Sequence, residues 1–275
     1  MPFTTFDTAA DDDVVREPGG RRALSDDELI ERYSWPQHPS ADGVTIRGNV
    51  VTSIDGSAVG PDARAGSIGT AGDRRLFELL RRTSDAVMVG AGTLLDEQYV
   101  GLRVSDDSVA WRVSRGLAQH PTLVVVSSDL SIPADHAVFA DAPVRPVLVT
   151  NSGDDGRLAA YEPVATIVRV ADARFDDDER EEGLAGGSGT DPAELRRALA
   201  RLGLHRVLCE GGPTLFSALL DRGALDEWCI TLSSVVVTGA GPRPAHSAAG
   251  ATHGFARASM LEGCGALFFR WERAT

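Results

Sequence analysis

Asp85-Ala86-Val87-Met88-Val89-Gly90-Ala91-Gly92-Thr93 carries an unbroken apolar run straight into two glycines. A short continuous apolar run closed by a turn signal reads as a strand covered on both faces. A second such unit follows downstream, where the strand-like residues 206–209 lead into Glu210-Gly211-Gly212-Pro213-Thr214-Leu215 and a helix over 215–221. Glycine where a strand meets a helix lets the backbone approach a ligand, and the free amides of the helix start then face an anion.

Working outward, further Val/Leu/Ile runs at 122–126, 144–150 and 164–170 predict strands of the same buried kind. Residues 44–53 are rich in β-branched side chains and predict a first strand, ended by Ile54-Asp55-Gly56 and a Gly/Pro-rich loop through Gly69. Leu76, Phe77, Leu79 and Leu80 form a helical stripe over 73–82. Asp191-Pro192-Ala193-Glu194 combines an N-cap, a first-turn proline and a capping glutamate, starting a helix that runs to Leu202 and stops at Gly203. Ser25-Asp26-Asp27-Glu28 matches a capping box ahead of Leu29, with Trp35-Pro36 as the stop. Two late strands, 227–233 and 266–271, flank a Gly/Pro-rich connection. Residues 1–23 read as a flexible acidic lead-in, Phe175 through Gly189 as a solvated loop, and 24–275 as one α/β domain.

Composition narrows the chemistry. Of 275 residues, 27 are positive and 40 negative, for a net charge of −13, and every positive residue is arginine. Without lysine, Schiff-base mechanisms and the Walker A loop are excluded. The acidic balance argues against nucleic acid and anionic membrane as partners. Three spaced cysteines (Cys209, Cys229, Cys264) give no metal knuckle or disulfide framework, and six histidines form no zinc motif, so no metal is expected. No signal sequence and no apolar span of membrane length is legible, so a cytoplasmic protein is the expectation. Gly90-Ala91-Gly92 lacks the third glycine of the Rossmann fingerprint, so a nucleotide would sit on another kind of sheet.

Three motifs in order, the stretch from Asn49 to Gly56, the stretch from Asp85 to Thr93, and Glu210 to Leu215 followed by Leu225-Asp226-Glu227, resemble the reductase domain of the bacterial riboflavin-biosynthesis deaminase/reductase family. The likeness spans roughly residues 43 to 272. The turn into Asp73-Arg74-Arg75 and the all-arginine composition resemble its stand-alone actinobacterial branch. No zinc signature of the deaminase half is present. The resemblance implies a dihydrofolate-reductase-like, three-layer αβα domain with a mostly parallel mixed sheet and antiparallel C-terminal strands. It implies NADPH-dependent reduction of 5-amino-6-(5-phosphoribosylamino)uracil, with hydride passing to ribose C1′, and a homodimer.

On this resemblance, Gly90, Ala91, Gly92 and Thr93 cradle NADPH together with Gly211, Gly212, Pro213, Thr214 and Leu215. Thr52 and Ser53 would line the nicotinamide slot, and Ser127 and Ser128 would meet the adenosine phosphate. Asp73 can hold the pyrimidine through its ring N–H groups or cap a helix. Asp55 can close the nicotinamide loop or simply make a turn. Glu210 either faces the substrate or holds the loop after it. Arg103 is a candidate for the substrate phosphate. Asn49 stands where many members carry a lysine beside the substrate, which moves the proton supply to water or Glu210, or signals another substrate. Asp73, Asn49 and Glu210 are thus the candidate catalytic residues. A dihydrofolate or pterin reductase and a non-catalytic NADP(H)-binding protein remain as alternatives.

Overall fold

The computed structural model describes residues 14–20, 22–36, 40–171, 190–247 and 250–274. The solvated loop expected over 175–189 lies outside them. In chain order the elements are β1 (Val15–Arg16), α1 (Asp26–Arg32), β2 (Thr45–Thr52), α2 (Ala71–Thr83), β3 (Ala86–Gly90), α3 (Ala91–Asp96), α4 (Asp106–Val113), β4 (Thr122–Val126) and α5 (Ala137–Ala140). They continue with β5 (Val147–Thr150), α6 (Asp155–Leu158), β6 (Thr166–Arg169), α7 (Pro192–Arg201), β7 (Arg206–Cys209), α8 (Pro213–Asp221), β8 (Glu227–Ser233), β9 (Phe255–Gly263) and β10 (Ala266–Arg273).

One ten-stranded sheet runs β1-β9-β10-β8-β2-β7-β3-β4-β5-β6. From β8 to β6 every neighbouring pair is parallel, and β10, β9 and β1 add antiparallel strands at one end. Two apolar cores flank the sheet. Leu76, Leu79 and Leu80 of α2 pack on Val87, Val89 and Leu208 on one side, and Leu195, Leu199, Phe216 and Leu219 of α7 and α8 pack on Ile46, Met88 and Val207 on the other. Apolar runs in β3, β4 and β5 face helices on both sides, which is why they are continuous rather than alternating.

Caps set the helix starts. Ser25 makes the capping box with Glu28. Asp191 accepts from Ala193 and Glu194 amides at the head of α7, and Gly203 follows its end at φ +72°. The Glu194 side chain reaches out to the Ala171 amide instead of back to the cap.

Three features differ from the sequence expectation. Within the lead-in expected over 1–23, Val15 and Arg16 pair with Gly263 and Glu262 as an edge strand, and Val15 is buried in the core. The connection after β8 holds a long strand, β9, whose Ala, Arg and Ser residues hide its pattern because only Leu261 is fully buried. Helix α2 begins two residues earlier than the stripe suggests, with Thr70 rather than Asp73 as its cap.

Candidate active site

Two cavities adjoin above the carboxyl ends of the parallel strands, where ligands bind in open α/β sheets. The larger, about 390 Å³, is a groove between the starts of α3 and α8 and the loop after β4. The smaller, about 250 Å³, lies between the sheet and α2. Thr93 lines both.

The groove assembles most of the residues expected to hold a dinucleotide: Gly90, Ala91, Gly92, Thr93, Ser127, Ser128, Gly212, Pro213, Thr214 and Leu215 all line it. The two glycine turns are tied to each other, since the Gly90 amide donates to the Gly211 carbonyl at 2.7 Å. Gly211 sits at φ +98°, which a side chain would strain, and its peptide bond to Gly212 is cis. A Cβ on Gly212 would stand 2.3 Å from Thr93 Oγ1, so this glycine is needed for close packing inside the protein as well as for any ligand. A Cβ on Gly92 would meet nothing within 4 Å. The Thr190 hydroxyl, buried in the groove wall, has no hydrogen-bond partner among the described residues. Free amides at the helix starts, a bare glycine and an orphaned hydroxyl fit a phosphate-bearing cofactor. Asp96 and Asp129 also line the groove, and Asp129 is held below the usual carboxylate range by hydrogen bonds from Ser131 and Ser127.

Three expected cofactor residues do not line the groove: Gly211, which holds the turn through its carbonyl, Thr52 and Ser53. Thr52 is buried at the end of β2 and lines neither cavity. Ser53 is fully buried, donates to Asp55 at 2.6 Å and accepts from the Ser57 amide. Asp55 also accepts from the Val237 amide, so it serves the turn. Residues one step back on β2 take their place in the smaller cavity: Asn49, Val50 and Val51.

The smaller cavity also brings together Asp73, Arg74, Phe77, Glu97, Tyr99 and Glu210. Asn49 is 7% exposed, and its amide has no hydrogen-bond partner among the described residues. With Thr70 capping α2, the Asp73 carboxylate is left free of the capping role and turns toward the cavity. Burial raises its pKa, opposed by the Thr231 hydroxyl and the Arg74 charge. Glu210 is not a free acid: both its oxygens are gripped by Arg81 at 2.6 Å, and Tyr99 donates to one of them at 2.8 Å. Glu97 accepts from the Ala65 amide and so ties the loop before α2 to the cavity wall.

Arg103 is not brought to the site. It pairs with Asp141 at 3.1 Å on the surface and lines neither cavity. The exposed guanidinium at the cavity is Arg74, which makes no ion pair among the described residues. Sequence reasoning passed over Arg74 although it adjoins Asp73, and took Phe77 for a core position. Tyr99 follows a short helix and carries no sequence signal at all.

Residues 44–254 match the family model described as the RibD C-terminal domain. The chain belongs to the RibD C-terminal domain family. Its curated relatives include proteins named 2,5-diamino-6-ribosylamino-4(3H)-pyrimidinone 5′-phosphate reductase. The one from Archaeoglobus fulgidus is 30% identical over 70% of this chain and 80% of its own. The one from Methanothermobacter thermautotrophicus is 28% identical over 70% and 78%. Among solved structures, a pyrimidine reductase-like protein of Corynebacterium diphtheriae superimposes with a TM-score of 0.71 at 20% identity, over 90% of this chain and 99% of that one. The riboflavin biosynthesis reductase of Saccharomyces cerevisiae gives 0.63 at 16%, over 90% and 98%. These two carry the likeness of fold: one mostly parallel sheet with helices on both faces. As a RibD C-terminal domain, this chain is an oxidoreductase of the pyrimidine-reductase type, acting in riboflavin biosynthesis.

Proposed function

We propose that the protein reduces a phosphorylated ribosylaminopyrimidine to its ribityl form with NADPH as hydride donor. One observation carries this reading: the dinucleotide groove and the polar cavity share Thr93 as a common wall, so a cofactor in one can reach a small substrate in the other. The bound cofactor supplies the hydride to ribose C1′ of the ring-opened sugar.

The chain's own residues do the rest. Gly92, Thr190 and the amides at the starts of α3 and α8 receive the phosphates, with Ser127 and Ser128 at the far end of the groove. The unpartnered Asn49 amide offers a donor and an acceptor beside the reacting sugar. Asp73, whose pKa is raised by burial, grips the pyrimidine N–H groups or passes a proton to the sugar nitrogen or oxygen. Arg74 is the cation positioned for the substrate phosphate, in the part first given to Arg103.

The substrate implied by the resemblance is 5-amino-6-(5-phosphoribosylamino)uracil. The archaeal relatives are named for the 2,5-diamino compound, which carries an amino group where the uracil has an oxygen. The test is NADPH oxidation followed at 340 nm with each pyrimidine and with dihydrofolate, repeated with NADH because Asp96 and Asp129 share the groove. Turnover of a ribosylaminopyrimidine is expected. Turnover of dihydrofolate alone would instead support a pterin reductase, and saturable binding without turnover a non-catalytic binder. The buried thiols of Cys209 and Cys229 suit a reducing cytoplasm, and burial pushes both up to about 12. A homodimer, implied by the resemblance, is checked by sedimentation.

A further inference from the structure

Three side chains in the wall of the substrate cavity, Phe77, Tyr99 and Glu210, rest on one guanidinium that does not itself line it. Arg81 Nε donates to Glu210 Oε1 and Arg81 Nη2 to Oε2, each at 2.6 Å. The Tyr99 hydroxyl donates to Oε2 at 2.8 Å and accepts from Arg81 Nη2 at 3.2 Å. The guanidinium carbon stands 4.2 Å from the Phe77 ring centre and 5.7 Å from that of Tyr99. Side-chain exposure is 15% for Arg81 and 2% for Glu210, so the pair is shielded from water.

A carboxylate offers about four acceptor sites. Here Oε2 accepts from two donors and Oε1 from one, so one acceptor site of Oε1 has no donor among the described residues, in a side chain that lines the cavity. We propose that Arg81 is a positioning residue, which locks Glu210, Tyr99 and Phe77 into one wall and keeps Glu210 an acceptor for a substrate hydroxyl or N–H rather than a proton donor. This deepens, and rests on, the reading of the cavity as the substrate site. It also answers the absence of a lysine at Asn49: the cation that balances Glu210 comes from α2, behind the cavity, so β2 can present a neutral side chain.

The charges facing Glu210 come from each element around it. Arg81 and Glu78 lie on α2, with Asp73 and Arg74 in its first turns, Glu97 and Tyr99 follow α3, and Cys209 precedes it on β7. Burial opposes the charge on Arg81, but Glu210 beside it holds the guanidinium above its ordinary value, and burial with the same carboxylate pushes the Tyr99 phenol well up. Without Arg81, a carboxylate that is 2% exposed would stand in the same wall as Asp73 and Glu97 with its counter-charge removed.

The test compares Arg81→Met, Arg81→Lys, Glu210→Gln and the Arg81→Met/Glu210→Gln double variant with the unsubstituted protein. Arg81→Met is expected to lower kcat/KM by about 100-fold. Its pH profile should gain an ionisation in the range of about pH 5 to 9 that Arg81→Lys, the double variant and the unsubstituted protein lack. Urea midpoints of the cofactor-free proteins give a readout independent of substrate. The Arg81→Met midpoint should fall as pH rises through the new ionisation, while that of the double variant stays level. An Arg81→Met profile parallel to the original, or a Glu210→Gln variant that erases an ionisation present in the original, would overturn the inference. If no pyrimidine is turned over, the functional reading fails by itself, and the urea series still decides whether Arg81 holds Glu210 ionised.

Discussion

Asp73 and Gly92 illustrate how one side chain, or the lack of one, decides what each cavity can take. A folded-state pKa raised above 3.8 means that ionised Asp73 costs stability at pH values above its folded pKa, and that this cost vanishes below the unfolded one. Asp73→Asn should therefore raise the melting temperature relative to the original, by an amount that grows as pH rises from 3.8 and levels off above the folded pKa. The same variant should lose most of its kcat, because an amide cannot carry the proton. Melting curves at several pH values alongside NADPH turnover check both, and a stability difference independent of pH would contradict the burial of this carboxyl. Gly92 stands at the open groove, with nothing within 4 Å of its absent Cβ and in the first turn of α3, where an aspartate suits the helix dipole. Gly92→Asp should fold normally and bind NADPH about tenfold or more weakly, measured by fluorescence titration. Gly212→Asp is a poorer probe, since its Cβ would first strike Thr93. Both glycines were legible as turn residues, whereas the difference between them is a matter of what lies opposite.

Helix α2 carries Asp73, Arg74 and Phe77 into the wall of the smaller cavity and Arg81 behind it, so the way it starts matters to the site. Its apolar stripe was legible because Leu76, Leu79 and Leu80 follow the helical period. Its first turn was not, because Thr70 sits after a glycine-rich loop and looks like any loop residue until its hydroxyl meets the Asp73 amide at 3.2 Å. Thr70→Ala should cost about 1 kcal/mol of stability, read from urea denaturation, and raise KM for the pyrimidine more than it lowers kcat. Strand β2 makes the same point by alternation. Ile46 and Val50 pack in the core that holds α8, while Asn49 and Val51, of the other parity, line the smaller cavity, which Val50 also borders. Placing the slot at Thr52 and Ser53 followed the end of the strand, but the α2-side cavity opens lower, and Ser53 turns inward to hold the loop through Asp55.

Across the molecule, Arg47 ties three regions that are far apart in the chain. It is fully buried on β2, donates to Glu227 of β8 at 2.5 Å and to the carbonyls of Tyr33 and Ser34 after α1, and lies 4.0 Å from the Trp35 ring. Glu227 in turn accepts from Arg270 of β10 at 3.0 Å, joining the antiparallel strands to the parallel sheet. Arg47→Met keeps most of the volume but leaves Glu227 with half its compensation, and should cost about 3–5 kcal/mol in urea denaturation. Glu227→Gln should cost at least as much, because it leaves the fully buried Arg47 guanidinium with carbonyl acceptors but no counter-charge.

The amino-acid sequence by itself determined the layered α/β architecture, the parallel strands, two glycine turns and the caps of α1 and α7, because each depends on residues within a few positions of one another. The three motifs in order, with the turn into Asp73, also picked out residues that line the two cavities, among them Asn49, Asp73, Glu210 and most of the groove. Only the tertiary structure decided what those residues do. Glu210 became the anchored partner of Arg81, 129 positions away, Arg103 went to Asp141 instead of the site, and Arg74 took the exposed place beside Asp73. Weak strands such as β1 and β9 emerged only through their pairing partners, since β1 is two residues long and β9 buries a single residue fully, which leaves little apolar pattern to read. Charge pairing is chosen among all the arginines by packing distance, and no local pattern encodes that choice.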